Sequence, residues 1–171
     1  MKKVSVLVVF SVVALLTGCY NDVSFDTTPY IEFKNVSKET MLDDFSGSKK
    51  DIVTISVHFE DGDGDLGLNE EERKVAVEKQ DFNYMLRIYR SKNGVFQEVQ
   101  QKVPESGFFM RLKDDGKSGP IEGTLDYSLV YFHNSIDAKG KDSLKYQITI
   151  KDRAGNISNT VESKMIILKE F

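Results

Sequence analysis

One-by-one alternation of apolar and polar residues recurs along the chain from Pro29 onward. In its clearest run, Val53, Ile55, Val57 and Phe59 alternate with threonine, serine and histidine. Successive side chains of a β-strand point to opposite faces, so this pattern predicts a strand that is buried on one face. Strands are predicted at 30–35, 51–59, 84–89, 95–99, 125–131, 144–150 and 161–168.

Segments rich in glycine, asparagine, aspartate and serine separate these runs and predict turns. They lie at 46–48, 93–94, 114–116, 137–140 and 154–156. About seven short strands at this spacing predict an all-β fold, a single antiparallel β-sandwich. No segment has a convincing helical period. Residues 69–79, NEEERKVAVEK, fit either one helical turn or a short strand.

The segment DSLKYQITIKDRAGNISNTV, residues 142–161, resembles the last hairpin of Ig-like and fibronectin-type-III-like domains of bacterial surfaces. Leu144 and Tyr146 open a strand as the tyrosine-corner residue does in those folds, and residues 152–156 resemble their final turn. The resemblance implies that residues 29–171 form an Ig-like sandwich. It implies a fold and no particular activity.

The first eighteen residues have the pattern of a secretory signal. Lys2 and Lys3 precede an apolar run at 4–16, and small residues follow it. At about 1.5 Å per residue the run covers about 20 Å, which is short for a bilayer core. We therefore expect residues 1–18 to be removed, which changes the formal net charge from −4 to −6.

Leu16-Thr17-Gly18-Cys19 resembles the lipobox of bacterial lipoproteins. The resemblance implies that Cys19 becomes an acylated N-terminus, and more than one acyl chain gives stable membrane attachment. Tyr20 follows in place of the aspartate that retains such proteins in the inner membrane, so the outer membrane is implied. Cys19 is the single cysteine, which excludes an internal disulfide. Residues 19–28 are expected to form the lipidated cysteine and a short tether.

The acidic loop after the predicted strand 51–59 is the candidate metal site. Asp61, Asp63 and Asp65 alternate with glycines, and carboxylates at every second position can converge on Ca²⁺, which takes six to eight oxygen ligands. The spacing resembles the first half of an EF-hand loop, and Glu72 falls where that loop places its bidentate glutamate. Leu66 stands where the EF-hand requires glycine, and a strand precedes the loop, so a calcium loop between strands is favoured.

Topology extends the predicted ligand set. In an Ig-like sandwich the loops after the second and sixth strands lie at the same end, which would bring Asp152 and Asn156 to the acidic loop. The first strand begins at that end, so the tether is expected there too. The alternative is a solvated turn, because aspartate and glycine are common turn residues. Mg²⁺ suits such a flexible oxygen cage less well than Ca²⁺, and Zn²⁺ is disfavoured because His58 and His133 stand alone in sequence.

The net charge and the motif content of the sequence argue against two classes of function, nucleic-acid binding and catalysis. A mildly acidic chain without a basic patch has no electrostatic reason to bind nucleic acid. The sequence lacks the Gly-x-Ser-x-Gly motif of hydrolases, the glycine-rich phosphate-binding loop and the zinc-binding helix motif of metalloproteases. No catalytic residue is therefore assigned.

The first hypothesis is therefore a noncatalytic, lipid-anchored outer-membrane module that is stabilised by calcium and acts as an accessory or interaction subunit with a protein partner. One alternative is a glycan-binding lipoprotein of nutrient uptake, for which Phe108 and Phe109 are candidate contacts. Another is an envelope hydrolase, which would need two polar side chains converging in a pocket.

Overall fold

The computed structural model describes residues 24–101, 103–133 and 142–168. The signal sequence at 1–18, the lipobox cysteine Cys19 and the predicted turn at 137–140 lie outside the described residues. No helix in the described part of the chain combines the length and the apolar character needed to cross a bilayer.

The described residues form two antiparallel sheets that share one core. The strands are β1 (Tyr30–Leu42), β2 (Lys49–Asp61), β3 (Tyr84–Lys92), β4 (Val95–Glu98), β5 (Ile121–Phe132), β6 (Asp142–Ile150), β7 (Val161–Glu162) and β8 (Ile166–Leu168). The first sheet has the order β1-β2-β5, and the second has β4-β3-β6-β7 with β8 also paired to β6. The predicted all-β, antiparallel, sandwich-like fold is confirmed.

The core is built from the alternating rows that the sequence shows. The inward residues of β2, from Val53 to Phe59, are at most 5% exposed. The inward residues of β6, from Leu144 to Ile150, are fully buried and belong to the same apolar cluster. A fully buried side chain of this size contributes about 1.5–3 kcal/mol, so the two facing rows are a large part of the force that holds the sheets together.

The predicted strand 161–168 is divided into β7 and β8 by the buried Ser163. The Tyr146 backbone N–H donates to the Ser163 hydroxyl at 3.0 Å, while the Ser163 N–H donates to the Tyr146 carbonyl at 2.8 Å. A side-chain oxygen therefore takes the place of a main-chain acceptor where the ladder is interrupted. Ser158 makes the same pair of hydrogen bonds with Ile150.

Residues 69–79 differ from the prediction, because Glu70–Lys79 forms a ten-residue helix, α1, rather than one turn or a strand. Asn69 is the N-cap, and its side chain accepts from the Glu72 N–H while Glu72 accepts from the Asn69 N–H. This reciprocal capping box stabilises the first turn. The helix buries only Ala76 and leaves Val75 and Val77 each 49% exposed, which explains its weak apolar period.

A side-chain amide connects the start of β1 to the segment after β6. Asn159 accepts from the Ile31 N–H at 2.8 Å and donates to the Ile31 carbonyl at 2.8 Å. These two hydrogen bonds resemble the pair that one residue makes with a neighbouring strand in a β-sheet, and they connect segments of different sheets. They hold the first residues of β1, the end of β2 and the hairpin after β6 at the same pole of the molecule.

Candidate metal centre

Asp61 is buried because it continues the inward row of β2. Every second residue of that strand from Asp51 points into the molecule, and Asp61 is its last member, with 0% exposure. The sequence prediction ended this strand at Phe59, two residues earlier. The added residues convert Asp61 from a loop carboxylate into an interior one, whose charge needs a partner.

Asp61, Asp63 and Asp65 converge. One carboxylate oxygen from each lies within 4.8 Å of one from each of the others. The Oδ1 atoms of all three are buried and have no hydrogen-bond partner in the described structure. At an effective dielectric constant of about 20, each pair of charges at that distance repels by roughly 3 kcal/mol. The arrangement therefore favours a cation among the three oxygens.

The pKa values of Asp61 and Asp65 also reflect the cost of holding these carboxylates close together in a buried site. Burial, followed by the charges of Asp63 and Asp65, raises the pKa of Asp61 from 3.8 to about 6. Burial also raises the pKa of Asp65, with further contributions from Asp152 and Asp63. Both shifts disfavour the ionised form that binds metal, and a bound divalent cation would oppose them because a nearby positive charge favours that form.

Backbone contacts fix the loop. The Asp63 carbonyl accepts from the Gly119 N–H at 3.0 Å and from the Ser118 hydroxyl at 3.3 Å. Gly64 has a φ of +73°, and a Cβ there would lie 2.5 Å from the Gly119 carbonyl oxygen. Glycine is required at this position because the backbone is left-handed and the neighbouring loop approaches so closely.

The hairpin after β6 reaches the acidic loop, as the topology predicts. The Ala154 N–H donates to Asp65 Oδ2 at 3.0 Å, and Arg153 Nη1 donates to the Gly67 carbonyl at 3.1 Å. Asp152 is 4% exposed, but its two carboxylate oxygens accept from the Asn156 N–H and side-chain amide at 2.7 and 2.8 Å. Asp152 and Asn156 therefore close their own turn beside the aspartate group.

Glu72 is engaged away from the three aspartates. Its carboxylate completes the capping box of α1 and accepts from Arg111 Nη2 at 2.6 Å. The Arg111 guanidinium lowers the pKa of Glu72. The structure therefore gives Glu72 the role of helix N3 residue and ion-pair partner, and the EF-hand spacing coincides with a capping box.

The segment before β1 also packs on the loop. The Gly62 N–H donates to the Asp26 carbonyl at 2.8 Å. A Cβ on Gly62 would lie 2.4 Å from the Phe25 carbonyl oxygen, so a side chain there would displace this segment. The expected position of the tether beside the acidic loop thus holds for its described part.

A polar cavity of about 330 Å³ adjoins the aspartates, and the sequence analysis did not predict it. Asp63 and Asp65 form one wall, while four cationic side chains, those of Arg111, Lys113, Lys117 and Arg153, also line it. The two lysines flank the predicted turn at 114–116, but their convergence with Arg153 depends on tertiary contacts.

The two histidines, which stand alone in sequence, have acidic neighbours in space. His133 Nε2 lies 3.0 Å from the fully buried Asp51, and His58 Nε2 lies 3.5 Å from Glu60. His58 and Glu60 form a second group with Glu122, on the partly exposed face of the first sheet. Its carboxylates are not orphaned in the way those of the acidic loop are.

The glycan-contact candidates are mostly used for packing. Phe109 is 8% exposed and belongs to the core, and the ring of Phe108 lies 5.2 Å from that of Phe82. Phe108 and Phe109 therefore do not form an exposed platform on which a sugar ring could stack.

Comparisons with known proteins leave the family open. No protein-family model matches the chain, and no curated protein matches its sequence. Among solved structures, it is similar to the X-ray structure of Northeast Structural Genomics Consortium target SoR45 over 86% of this chain and 90% of that one. The identity is 13% and the TM-score is 0.31, so this likeness carries no argument about function.

Proposed function

We propose that this chain is a noncatalytic, lipid-anchored module of the bacterial cell envelope, stabilised by Ca²⁺ at the Asp61–Asp65 loop. The observation that carries the calcium proposal is the convergence of three buried carboxylate oxygens without partners, one of them on the fully buried Asp61. A folded domain tolerates such a group when a cation compensates it.

The donor set favours calcium among common metals. It offers carboxylate oxygens on a glycine-containing loop, which suits the variable geometry and six to eight oxygen ligands of Ca²⁺. Mg²⁺ demands a stricter octahedron, and Zn²⁺ prefers nitrogen and sulfur ligands that this group lacks. Asp61, Asp63 and Asp65 are the proposed ligands, with Asp152 and Asn156 as a supporting shell and Glu72 outside it.

The strand order supports an Ig-like sandwich. Placing β1, β2 and β5 in one sheet, and β3, β6 and the last strands in the other, corresponds to the two-sheet arrangement of Ig-like domains. The fully buried Tyr146 lies on β6, and its hydroxyl donates to that of Tyr131 at 3.2 Å. Tyr146 is therefore an aromatic residue of the core. Such a domain is suited to an accessory or interaction subunit at the outer membrane, with a protein partner.

The membrane anchor is proposed from the lipobox at Leu16–Cys19. Cys19→Ser removes the acylation site, so we expect the protein to leave the membrane fraction on cell fractionation. Retention of that variant in the membrane fraction would contradict the anchor, while leaving the calcium proposal untouched.

Thermal unfolding of the full chain in detergent tests the calcium site. With free Ca²⁺ at a hundred times its dissociation constant, we expect about 2.7 kcal/mol of added stability, or a Tm increase of about 5–10 °C. Asp63→Asn should abolish the increase, whereas Asp44→Asn, an exposed aspartate in the β1–β2 turn, should keep it. An equal Tm with calcium and after calcium removal would refute the metal site.

A further inference from the structure

We infer that the cavity beside the acidic loop binds a phosphate group, which the bound calcium ion and the cavity's cationic side chains hold together. This inference rests on the proposed calcium site and names the ligand class of its open side.

The cavity and the aspartate group share a wall. Asp63 and Asp65 belong to both, while the fully buried Asp61 lies behind them at the end of β2. A cation held by the three carboxylates would therefore lie beside this cavity. Because three aspartates rarely fill the six to eight positions of Ca²⁺, the ion needs further oxygen ligands, and the cavity offers room for one from outside the chain.

Three cationic side chains of the cavity have no carboxylate at ion-pair distance in the described structure. Lys113 Nζ donates to the Gly119 carbonyl at 3.3 Å, and Arg153 Nη1 donates to the Gly67 carbonyl at 3.1 Å. Lys117 lines the cavity with its ammonium group unpaired in the described chain. Arg111 differs, because Glu72 and Asp114 already pair with it. The Arg153 charge already acts favourably on the Asp65 carboxylate. Lys113 and Lys117 have no carboxylate partner in the described chain and can serve an external anion.

A bound metal ion would change the net charge of the cavity lining. Four cationic and three acidic side chains line the cavity, so it is nearly balanced without an ion. A divalent cation on the aspartate wall adds two positive charges and removes the repulsion that Asp63 and Asp65 exert on an anion. Calcium and the anion should therefore bind with positive, reciprocal coupling.

Phosphate fits this lining better than a small carboxylate. It supplies several oxygens at once, and lysine ammonium groups bind it as point charges. The source could be a lipid headgroup or a soluble phosphorylated sugar. The described segment before β1 contacts Gly62, and Asp26 is seven residues from Cys19, which reach at most about 25 Å. An anchored molecule would thus hold the cavity near membrane phosphates.

Calorimetric titration of the full chain in detergent with glucose 6-phosphate tests the inference. We expect the dissociation constant to be at least tenfold lower with Ca²⁺ than for calcium-stripped protein, and no binding of unphosphorylated glucose. Lys113→Gln combined with Lys117→Gln should weaken binding at least tenfold while leaving the calcium-dependent Tm increase unchanged. Lys49→Gln combined with Lys92→Gln, two exposed lysines at the opposite pole, is the matched control and should bind normally.

The source is distinguished with vesicles. A Cys19→Ser chain is mixed with phosphatidylcholine vesicles with or without phosphatidylglycerol, with and without Ca²⁺. A calcium-dependent increase in vesicle binding that the double lysine variant loses identifies a lipid phosphate. Glucose 6-phosphate binding without that increase identifies a soluble one.

A normal calcium-dependent Tm increase with no phosphate binding in either assay would overturn the inference and leave the metal site standing. Phosphate binding of equal strength with and without calcium, or in the double lysine variant, would also overturn it. Loss of both the Tm increase and phosphate binding would refute the two proposals together.

Discussion

Asp61→Asn should stabilise the metal-free protein, although it alters a fully buried residue. The substitution keeps the size of the side chain and an oxygen that can accept from the Asp65 N–H, now 3.0 Å from Asp61 Oδ2. It removes a charge that burial and two neighbouring aspartates oppose. It also removes the innermost proposed ligand, so the same variant should lose its response to calcium.

The magnitude follows from the pKa of Asp61. Its value of about 6 in the folded protein against 3.8 for an unperturbed aspartate is a difference of about two, and each pKa unit is worth about 1.4 kcal/mol. Above pH 6 the carboxylate is ionised in both states, so the folded state is disfavoured by about 3 kcal/mol. As the pH falls from 6 to 4, the folded state takes up its proton first and this penalty disappears.

The assay is urea denaturation of calcium-stripped wild type and Asp61→Asn at pH 7 and pH 4. We expect the variant to be more stable by about 3 kcal/mol at pH 7, which corresponds to a Tm higher by about 6–12 °C, and the two proteins to be nearly equal at pH 4. With saturating calcium at pH 7 only the wild type should gain stability. A variant that is less stable than wild type at pH 7 without calcium would refute the reasoning.

Three further substitutions test other parts of the structure. Glu72→Gln keeps the capping box but not the charge of the partly exposed pair with Arg111, so stability in urea should change by less than about 1 kcal/mol and the calcium-dependent Tm increase should persist. Ser163→Ala leaves the Tyr146 N–H without its hydroxyl acceptor and should cost about 1–3 kcal/mol in urea denaturation, with calcium affinity unchanged. Gly62→Ala should displace the segment before β1 and accelerate its cleavage in limited proteolysis, and an unchanged rate would contradict the close packing seen there.

The strands were predictable because one physical rule, alternation of inward and outward side chains, governs both sequence and burial. The rows of β2 and β6 lie where their apolar residues place them. The approach of the hairpin after β6 to the acidic loop was also predictable, since an antiparallel two-sheet topology fixes which loops share a pole. Extending the parity of β2 by two residues would further have indicated that Asp61 is buried.

Helix α1 and the cavity were harder to predict for different reasons. The helix has little apolar period because it buries only Ala76. Asn69 and Glu72 nevertheless carry a local capping signal, whereas the sequence analysis considered Glu72 only for its spacing from Asp61. The cavity depends on the irregular loop of Lys113 and Lys117 and on the distant Arg153. Only tertiary contacts bring these cations together, so no local sequence pattern predicts the cavity.

The contact between Asp26 and Gly62 has a mechanical consequence. Tension applied to the N-terminal end of the chain reaches the Asp26–Gly62 hydrogen bond before it reaches the ladder of β1. The first rung of that ladder pairs Tyr30 with Glu60, the neighbour of Asp61, so a pull would unzip β1 from this end, one pair at a time. An ion coordinated by Asp61 would raise the force needed for the first of these steps.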